Sequence, residues 1–324
     1  MFDIFITWWL QFILLLDGSL RLATPLIFCG MAGILSERAG IIDISLEGKM
    51  LIAAFAAAAA AAITGSPVLG LVAGIFAACL FALIHAFATI TVKGNQVVSG
   101  LAINMLASGL SITLAIALFA QGGQTPFLDA SQRFSAITLP LAETIAGLPI
   151  VGSTLGVIYK ELLSGHNILV WLSLVAVVAT GMLLTATRFG LCLRACGEMP
   201  EAVDTAGKNV AWIRYQAVLI TGILCGCAGA YLSIAHGGGF VREMTAGKGY
   251  IALAAVIFGH WRPIPVLLAC LMFGLFESLA SRLGTISSDV ILVLPYILTV
   301  VLLAGVIRPP RPPRALGIPY NKIH

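Results

Sequence analysis

The sequence predicts an all-α membrane protein, a polytopic bundle of about ten transmembrane helices in a single domain over residues 1–324. Of its 324 residues, 60% are hydrophobic and only 10% are charged, and the mean hydropathy is +1.04. A soluble domain usually carries about 25% charged residues, so this composition excludes a cytosolic enzyme, a disordered protein and a nucleic-acid binder. Long apolar runs replace alternating strand patterns, which excludes an outer-membrane barrel.

Each span is predicted as an apolar run of roughly 20 residues bounded by glycine, proline or charge. Gly65-Ser66-Pro67 separates two such runs, and Arg262-Pro263 separates two others. Segment 249–261 is short for a full crossing and reads as a half-helix packed inside the protein. The count falls to nine if residues 3–17 lie flat in the interface. The predicted spans are 3–17, 20–36, 41–64, 67–91, 95–120, 168–187, 211–235, 249–261, 264–283 and 288–307.

The lysines and arginines predict the orientation, because they concentrate on the cytoplasmic side of plasma-membrane proteins. Ten spans with the N-terminus inside place 12 of the 18 Lys and Arg residues in the cytoplasm. We therefore expect a multi-pass protein of a bacterial plasma (inner) membrane, embedded in lipid, with both termini cytoplasmic. Residues 121–167 form an external loop region, 188–210 a cytoplasmic loop, and 308–324 an extended, basic cytoplasmic tail rich in proline.

The cytoplasmic loop has the pattern of a short capped helix. Pro200 suits a first helical turn, the carboxylates of Glu198 and Glu201 complement the positive helix start, and Gly207 is placed as a stop. A helix of two turns is marginal alone in water. Two interpretations remain open here: an ordinary capped loop, or a helix that docks on a partner.

Five charges fall within residues 37–49, where an apolar helix begins. Ionisable side chains inside a membrane are costly, so they pair, face the bundle interior or line a pathway. Glu47 is the deepest acid, and Lys49 or Arg38 could compensate it. The cluster is therefore either a mutually neutralising structural group or a contact for substrate.

Asn104 and Ser108 are spaced i, i+4 in an otherwise apolar span and share one helix face. Such side chains hydrogen-bond a neighbouring helix or line a polar path, and the sequence favours neither. Phosphate-binding loops, metal-binding motifs and nucleophile motifs do not occur, so we expect no catalytic residue, no metal and no cofactor. The seven cysteines are expected to be buried and reduced.

Four segments together resemble the membrane subunit of an ABC importer in the branched-chain amino acid/simple sugar permease superfamily. They are Ser36–Phe55, Asn95–Leu110, Arg194–Asn209 and Lys248–Pro263. Within this superfamily the chain most resembles the nucleoside branch that works with binding lipoproteins of the basic-membrane-protein type. Asp43 and Lys49 depart from the resemblance, since the family pattern predicts Asn and an apolar residue there.

The resemblance implies a permease with a cytoplasmic coupling helix at Glu198–Ala206, which inserts into a groove of a separate ABC ATPase subunit. It also implies a second permease, often a different paralogous chain, and an extracytoplasmic solute-binding protein. The ATPase subunit would hydrolyse ATP, and this chain would be no enzyme. The residues expected to contact the ATPase are Gly197, Glu198, Pro200, Glu201, Ala202, Ala206 and Gly207.

Polarity and depth select four candidates for the translocation path: Asp43, Glu47, Asn104 and Ser108. Glu37, Arg38 and Lys49 are assigned to a structural ion cluster. The expected solute is a nucleoside or related purine-containing compound, and simple sugars and branched-chain amino acids are the alternatives on a similar scaffold. A gradient-driven secondary transporter is a further alternative, whereas nothing in the sequence supports a membrane enzyme.

Overall fold

The structure, a computed structural model, describes residues 2–137, 158–159, 164–282 and 311–322, with side chains from Trp9 onward. Within these ranges it contains ten α-helices and no β-strand. Seven of these helices are long and apolar enough to cross a membrane. The predicted span 288–307 lies outside the described residues. The helices are α1 Phe2–Arg38, α2 Leu46–Thr64, α3 Pro67–Ala86, α4 Gln96–Phe119, α5 Ile168–Ala186, α6 Arg188–Glu198, α7 Pro200–Thr205, α8 Val210–Ala230, α9 Lys248–Phe258 and α10 Pro263–Arg282.

The prediction of separate spans at 3–17 and 20–36 is wrong, because both belong to the continuous helix α1. Gly18 lies between the two predicted spans and is a packing position against α10. A Cβ atom at Gly18 would lie 2.5 Å from the Ser278 hydroxyl oxygen. Small residues at such points let two helices approach closely in a membrane.

Pro25 lies inside α1 without interrupting it. Proline has no N–H to donate to the carbonyl four residues earlier, which here belongs to Arg21. The Tyr231 hydroxyl donates to that carbonyl oxygen at 2.9 Å. A neighbouring side chain thus supplies the hydrogen bond that the proline removes, as membrane helices require.

The remaining described spans match their predicted bounds within about two residues, with two differences. The predicted span 41–64 begins as a helix only at Leu46, and residues 39–45 form a non-helical segment, hereafter the re-entrant loop. Segment 249–261 forms α9, which has 11 helical residues and is confirmed as shorter than a full crossing. Both α3 and α8 end in a π-turn, at Phe87–Thr91 and Tyr231–His236.

Helix α8 packs against α1, α2 and α3 at the centre of the core. The approach to α2 depends on Gly229, where a Cβ atom would lie 2.3 Å from the Met50 carbonyl oxygen. All seven cysteines are free, and five are buried. In α6, outside the candidate spans, burial raises the pKa of Cys196 to about 11, so its thiol is unreactive at neutral pH.

Candidate functional site

The re-entrant loop joins α1 to α2, and side chains of neighbouring helices bond the peptide groups of Ile42. The Gln96 side-chain oxygen accepts from the Ile42 N–H at 2.6 Å, and the Ile42 carbonyl oxygen lies 3.1 Å from His85 Nε2. Irregular backbone that is buried needs hydrogen-bond partners from the surrounding protein. Here the start of α4 and the end of α3 provide those partners.

Asp43 in this loop forms an ion pair with Lys49, and both side chains are fully buried. Lys49 Nζ lies 2.6 Å from Asp43 Oδ2, and the Ser45 hydroxyl donates to Asp43 Oδ1 at 2.5 Å. His85 Nε2 lies 3.9 Å from the same carboxylate. Lys49 therefore compensates Asp43 rather than Glu47, and Asp43 reaches no surface that a solute could touch in this structure.

Glu47 binds the N-terminus of α9. Its carboxylate oxygens accept from the backbone N–H of Gly247 at 2.8 Å and of Gly249 at 2.6 Å. A carboxylate is favourable there, since the first N–H groups of a helix lack partners within the helix and carry partial positive charge. Glu47 thus joins the start of α2 to the start of the short helix α9.

Glu37 and Arg38 lie at the other end of α9 and both contact Trp261. The Glu37 carboxylate accepts from the Trp261 indole N–H, and Arg38 Nε donates to the Trp261 carbonyl oxygen at 3.3 Å. The structure thus divides the predicted cluster of Glu37, Arg38 and Lys49 into two separate groups. One group holds the end of α9, and the other neutralises the re-entrant loop.

Asn104 and Ser108 lie on the face of α4 that meets α9 and the segment before it. The Asn104 amide accepts from the Gly48 N–H at 2.8 Å and donates to the Tyr250 hydroxyl at 2.9 Å. The Ser108 hydroxyl donates to the Glu243 carboxylate. Tyr250 and Glu243 are both exposed on this chain. We call Asn104, Ser108, Glu243 and Tyr250 the polar face.

The polar face lies at the middle of a spanning helix. Ser108 is twelve residues beyond the first residue of the 24-residue helix α4, or about 18 Å along it at about 1.5 Å per residue. An exposed carboxylate at this depth is expensive if lipid covers it, costing roughly 2.5–3.5 kcal/mol on insertion scales. Water or another protein subunit must therefore cover this part of the surface.

The predicted helix at Glu198–Ala206 is present as α7, Pro200–Thr205, with the start and stop that the sequence indicates. Pro200 occupies the first turn, and Gly207 has a φ of +74°, a left-handed conformation that favours glycine. The Lys208 N–H closes the end by donating to the Val203 carbonyl oxygen at 3.1 Å. This helix is joined directly to α6, which ends at Glu198.

The seven residues assigned to the ATPase contact divide between two sides of this segment. Gly197 and Pro200 are buried, and a Cβ atom at Gly197 would lie 2.3 Å from the Arg38 carbonyl oxygen. The other five are exposed to solvent and form the outward side: Glu198, Glu201, Ala202, Ala206 and Gly207.

Sequence reasoning missed three members of these sites. Glu243 lies in a loop without periodic pattern, so no signal pointed to it. Tyr250 lay inside a segment quoted for its resemblance, and its hydroxyl could have been matched to the nearby amides. His85 was one of five scattered histidines, and its contact with the re-entrant loop depends on tertiary structure alone.

Comparison with known proteins assigns the chain to a family. Residues 15–303 match the family described as the permease component of branched-chain amino acid transport systems. The chain belongs to this permease family. Over 321 residues it is 35% identical to the nucleoside ABC transporter permease protein NupC of Lactococcus lactis, covering 95% of this chain and 97% of the relative.

Two further relatives name different solutes. The guanosine ABC transporter permease protein NupQ of Bacillus subtilis is 34% identical, with the same 95% and 97% coverage. The putative glucose ABC transporter permease protein TsgC13 of Haloferax volcanii is 35% identical over 84% of this chain and 78% of its own length. No solved structure matches the chain.

The permease is therefore a non-catalytic transport subunit of an ABC transporter. This finding confirms the resemblance drawn from the four sequence segments. It decides against the gradient-driven secondary transporter, which the sequence alone left open, and against a membrane enzyme.

Proposed function

We propose that this permease moves nucleosides or related purine-containing solutes across a bacterial plasma membrane. The observation that carries the proposal is the polar face at mid-membrane depth. The Glu243 carboxylate offers a hydrogen-bond acceptor and the Tyr250 hydroxyl, which accepts from Asn104, offers a donor. The Tyr250 ring offers an aromatic surface on which a base can stack. The names of NupC and NupQ support the solute class.

The path runs along the polar face, between this chain and a second permease. The resemblance to the nucleoside branch favours a different, paralogous chain as that second subunit. Its surface, or water in the path, covers Glu243 and Tyr250 in the complete transporter. Glu47 acts at the edge of this path by holding α9, which carries Tyr250, against α2.

The outward side of α7 docks on an ABC ATPase subunit, and an extracytoplasmic solute-binding protein delivers the solute on the opposite side. The lysine and arginine distribution puts α6, α7 and the Arg38 end of α1 in the cytoplasm. Because α1 is one continuous helix, we place its N-terminal end outside, opposite to the side that the sequence predicts. The C-terminal tail remains cytoplasmic.

The test is uptake of radiolabelled guanosine, uridine, glucose and leucine by cells that lack the native permease and carry variants of this chain. Glu243→Gln and Tyr250→Leu should lower nucleoside uptake at least about tenfold, while membrane insertion stays normal. Asp129→Asn removes an exposed carboxylate outside the polar face and should leave uptake unchanged. Transport of glucose or leucine in place of nucleosides would refute the solute class, and normal uptake by both face variants would refute the path.

A further inference from the structure

The tail, residues 311–322, packs into the same end of the bundle as α7. Its backbone is hydrogen-bonded on two sides: the Ala315 N–H donates to the Gly197 carbonyl oxygen at 2.8 Å, and the Gly317 N–H donates to the Gly40 carbonyl oxygen at 3.1 Å. The tail therefore lies between the end of α6 and the first residues of the re-entrant loop. It also lies beyond residue 303, where the family match ends.

Side chains strengthen both attachments. Arg214 of α8, only 2% exposed, donates through Nε to the Ala39 carbonyl oxygen at 3.1 Å and through Nη1 to the Ile318 carbonyl oxygen at 3.3 Å. The Tyr320 hydroxyl donates to Asp204 Oδ2 in α7 at 2.8 Å. The tail thus joins α7 to the re-entrant loop through direct contacts on both sides.

An open groove separates the outer surfaces of α7 and the tail. It encloses about 440 Å³, with Glu198, Pro200 and Glu201 on one wall and Arg314 and Ile318 on the other. Ile318 is 57% exposed, although the tail backbone around it is held in place. The groove is therefore continuous with the exposed side of α7, and its second wall carries an apolar side chain and a cation.

We propose that the tail forms the second half of the surface on which the ABC ATPase subunit docks, and that it transmits the movement of α7 to the re-entrant loop. The ATPase is the occupant because the groove is a direct continuation of the α7 surface assigned to it. A displacement of α7 pulls on Tyr320, and the tail carries it to Gly40, at the start of the loop that leads to Asp43 and Glu47. This inference rests on the proposed docking role of α7.

The experiment measures how much ATPase subunit remains with the affinity-purified, full-length permease, together with solute-driven ATP hydrolysis in liposomes. Ile318→Glu puts a charge at an exposed position, so folding is preserved, and it should lower ATPase retention about tenfold. Val241→Glu makes the same change at a 56% exposed valine outside the tail and α7 and should not alter retention.

Tyr320→Phe keeps the ring but removes the hydroxyl donor to Asp204. It should lower the amount of solute transported per ATP hydrolysed at least about fivefold, which corresponds to the net free energy of one hydrogen bond. The ATPase should stay bound. Tyr215→Phe is the matched control, since its hydroxyl contacts Thr91 instead of α7 or the tail.

Glu201→Arg in α7 separates the two proposals. Loss of the ATPase with both Glu201→Arg and Ile318→Glu supports the shared surface. Loss with Glu201→Arg alone, or normal coupling in Tyr320→Phe, overturns the role of the tail and leaves that of α7 intact. Full retention in both docking variants overturns the docking role of α7 and the inference that rests on it.

Discussion

Removing one partner of the Asp43–Lys49 ion pair should destabilise the permease far more than removing both. The two side chains are fully buried at 2.6 Å, so Lys49→Met leaves a carboxylate in the interior with only Ser45 and His85 nearby. Breaking a buried pair from one side costs about 3–5 kcal/mol, whereas replacing both charges is often neutral. At about 1.4 kcal/mol per tenfold change, each single variant shifts the unfolding equilibrium by roughly two to four orders of magnitude.

The double variant Asp43→Asn with Lys49→Met restores the residue types that the family pattern predicts at these positions. It should regain the free energy of unfolding of the parent to within about 1 kcal/mol. The two departures from the family pattern then count as one compensated change, not as two independent signs of altered specificity.

The assay is equilibrium unfolding in detergent, followed by intrinsic tryptophan fluorescence, of the parent, the single variants Lys49→Met and Asp43→Asn, and the double variant. Arg21→Met provides the control, because Arg21 also pairs with an acid, Asp17 at 3.0 Å, but is 40% exposed. Its loss should cost about 1 kcal/mol or less. A double variant as unstable as the sum of the two singles would refute the reasoning.

Three further predictions concern α9, the helix core and the orientation of α1. Glu47→Gln leaves one backbone N–H of Gly247 or Gly249 without its acceptor. It should lower the free energy of unfolding by about 1–3 kcal/mol and reduce uptake, as measured by thermal unfolding and transport assays. Unchanged stability would contradict the role of Glu47 in holding α9. Gly229→Ala places a Cβ atom 2.3 Å from the Met50 carbonyl oxygen and should sharply reduce the folded fraction in size-exclusion chromatography, whereas Gly109→Ala on α4, with no atom within 4 Å, should not; equal yields of both would reject the packing argument. Asp3→Cys should react with a membrane-impermeant maleimide in intact spheroplasts, and Lys322→Cys should not. The reverse pattern would refute the external position of the N-terminus and favour a cytoplasmic one.

The sequence predicts the spans well where a hydrophobic run and its ends agree. Pro67, Asn95 and Asn167 each stand at or just before a helix start, and the observed helices begin beside them. The prediction of separate spans at 3–17 and 20–36 fails at the position between them, Gly18, because a glycine can either interrupt a helix or allow close contact with a neighbouring helix. Only the position of Ser278 on α10 distinguishes them, and that contact joins residues far apart in the chain.

The candidate sites likewise contain features that local sequence predicts and features that depend on long-range contacts. The start and stop of α7 are local, so Pro200 and Gly207 indicate them from the sequence. The partners of Lys49 and Glu47 cannot be read from the sequence. Two acids lie within six residues of Lys49, and their charge does not indicate which of them forms the ion pair. The re-entrant loop decides it, because it turns Asp43 towards Lys49 and leaves the Glu47 carboxylate to the first N–H groups of α9.

Asn104 shows why the two roles that the sequence left open for it are compatible. Its amide bonds to Gly48 at the start of α2 and to the hydroxyl of Tyr250, which is itself exposed. A side chain that only fixed the helices would be buried together with all its partners, and one that only lined a path would not be held by the backbone of another helix. Asn104 has bonds of both kinds, since its amide also donates to the Ile44 carbonyl oxygen at 3.0 Å. A movement of α2 or α9 that alters the backbone bonds therefore also moves a group at the exposed polar face.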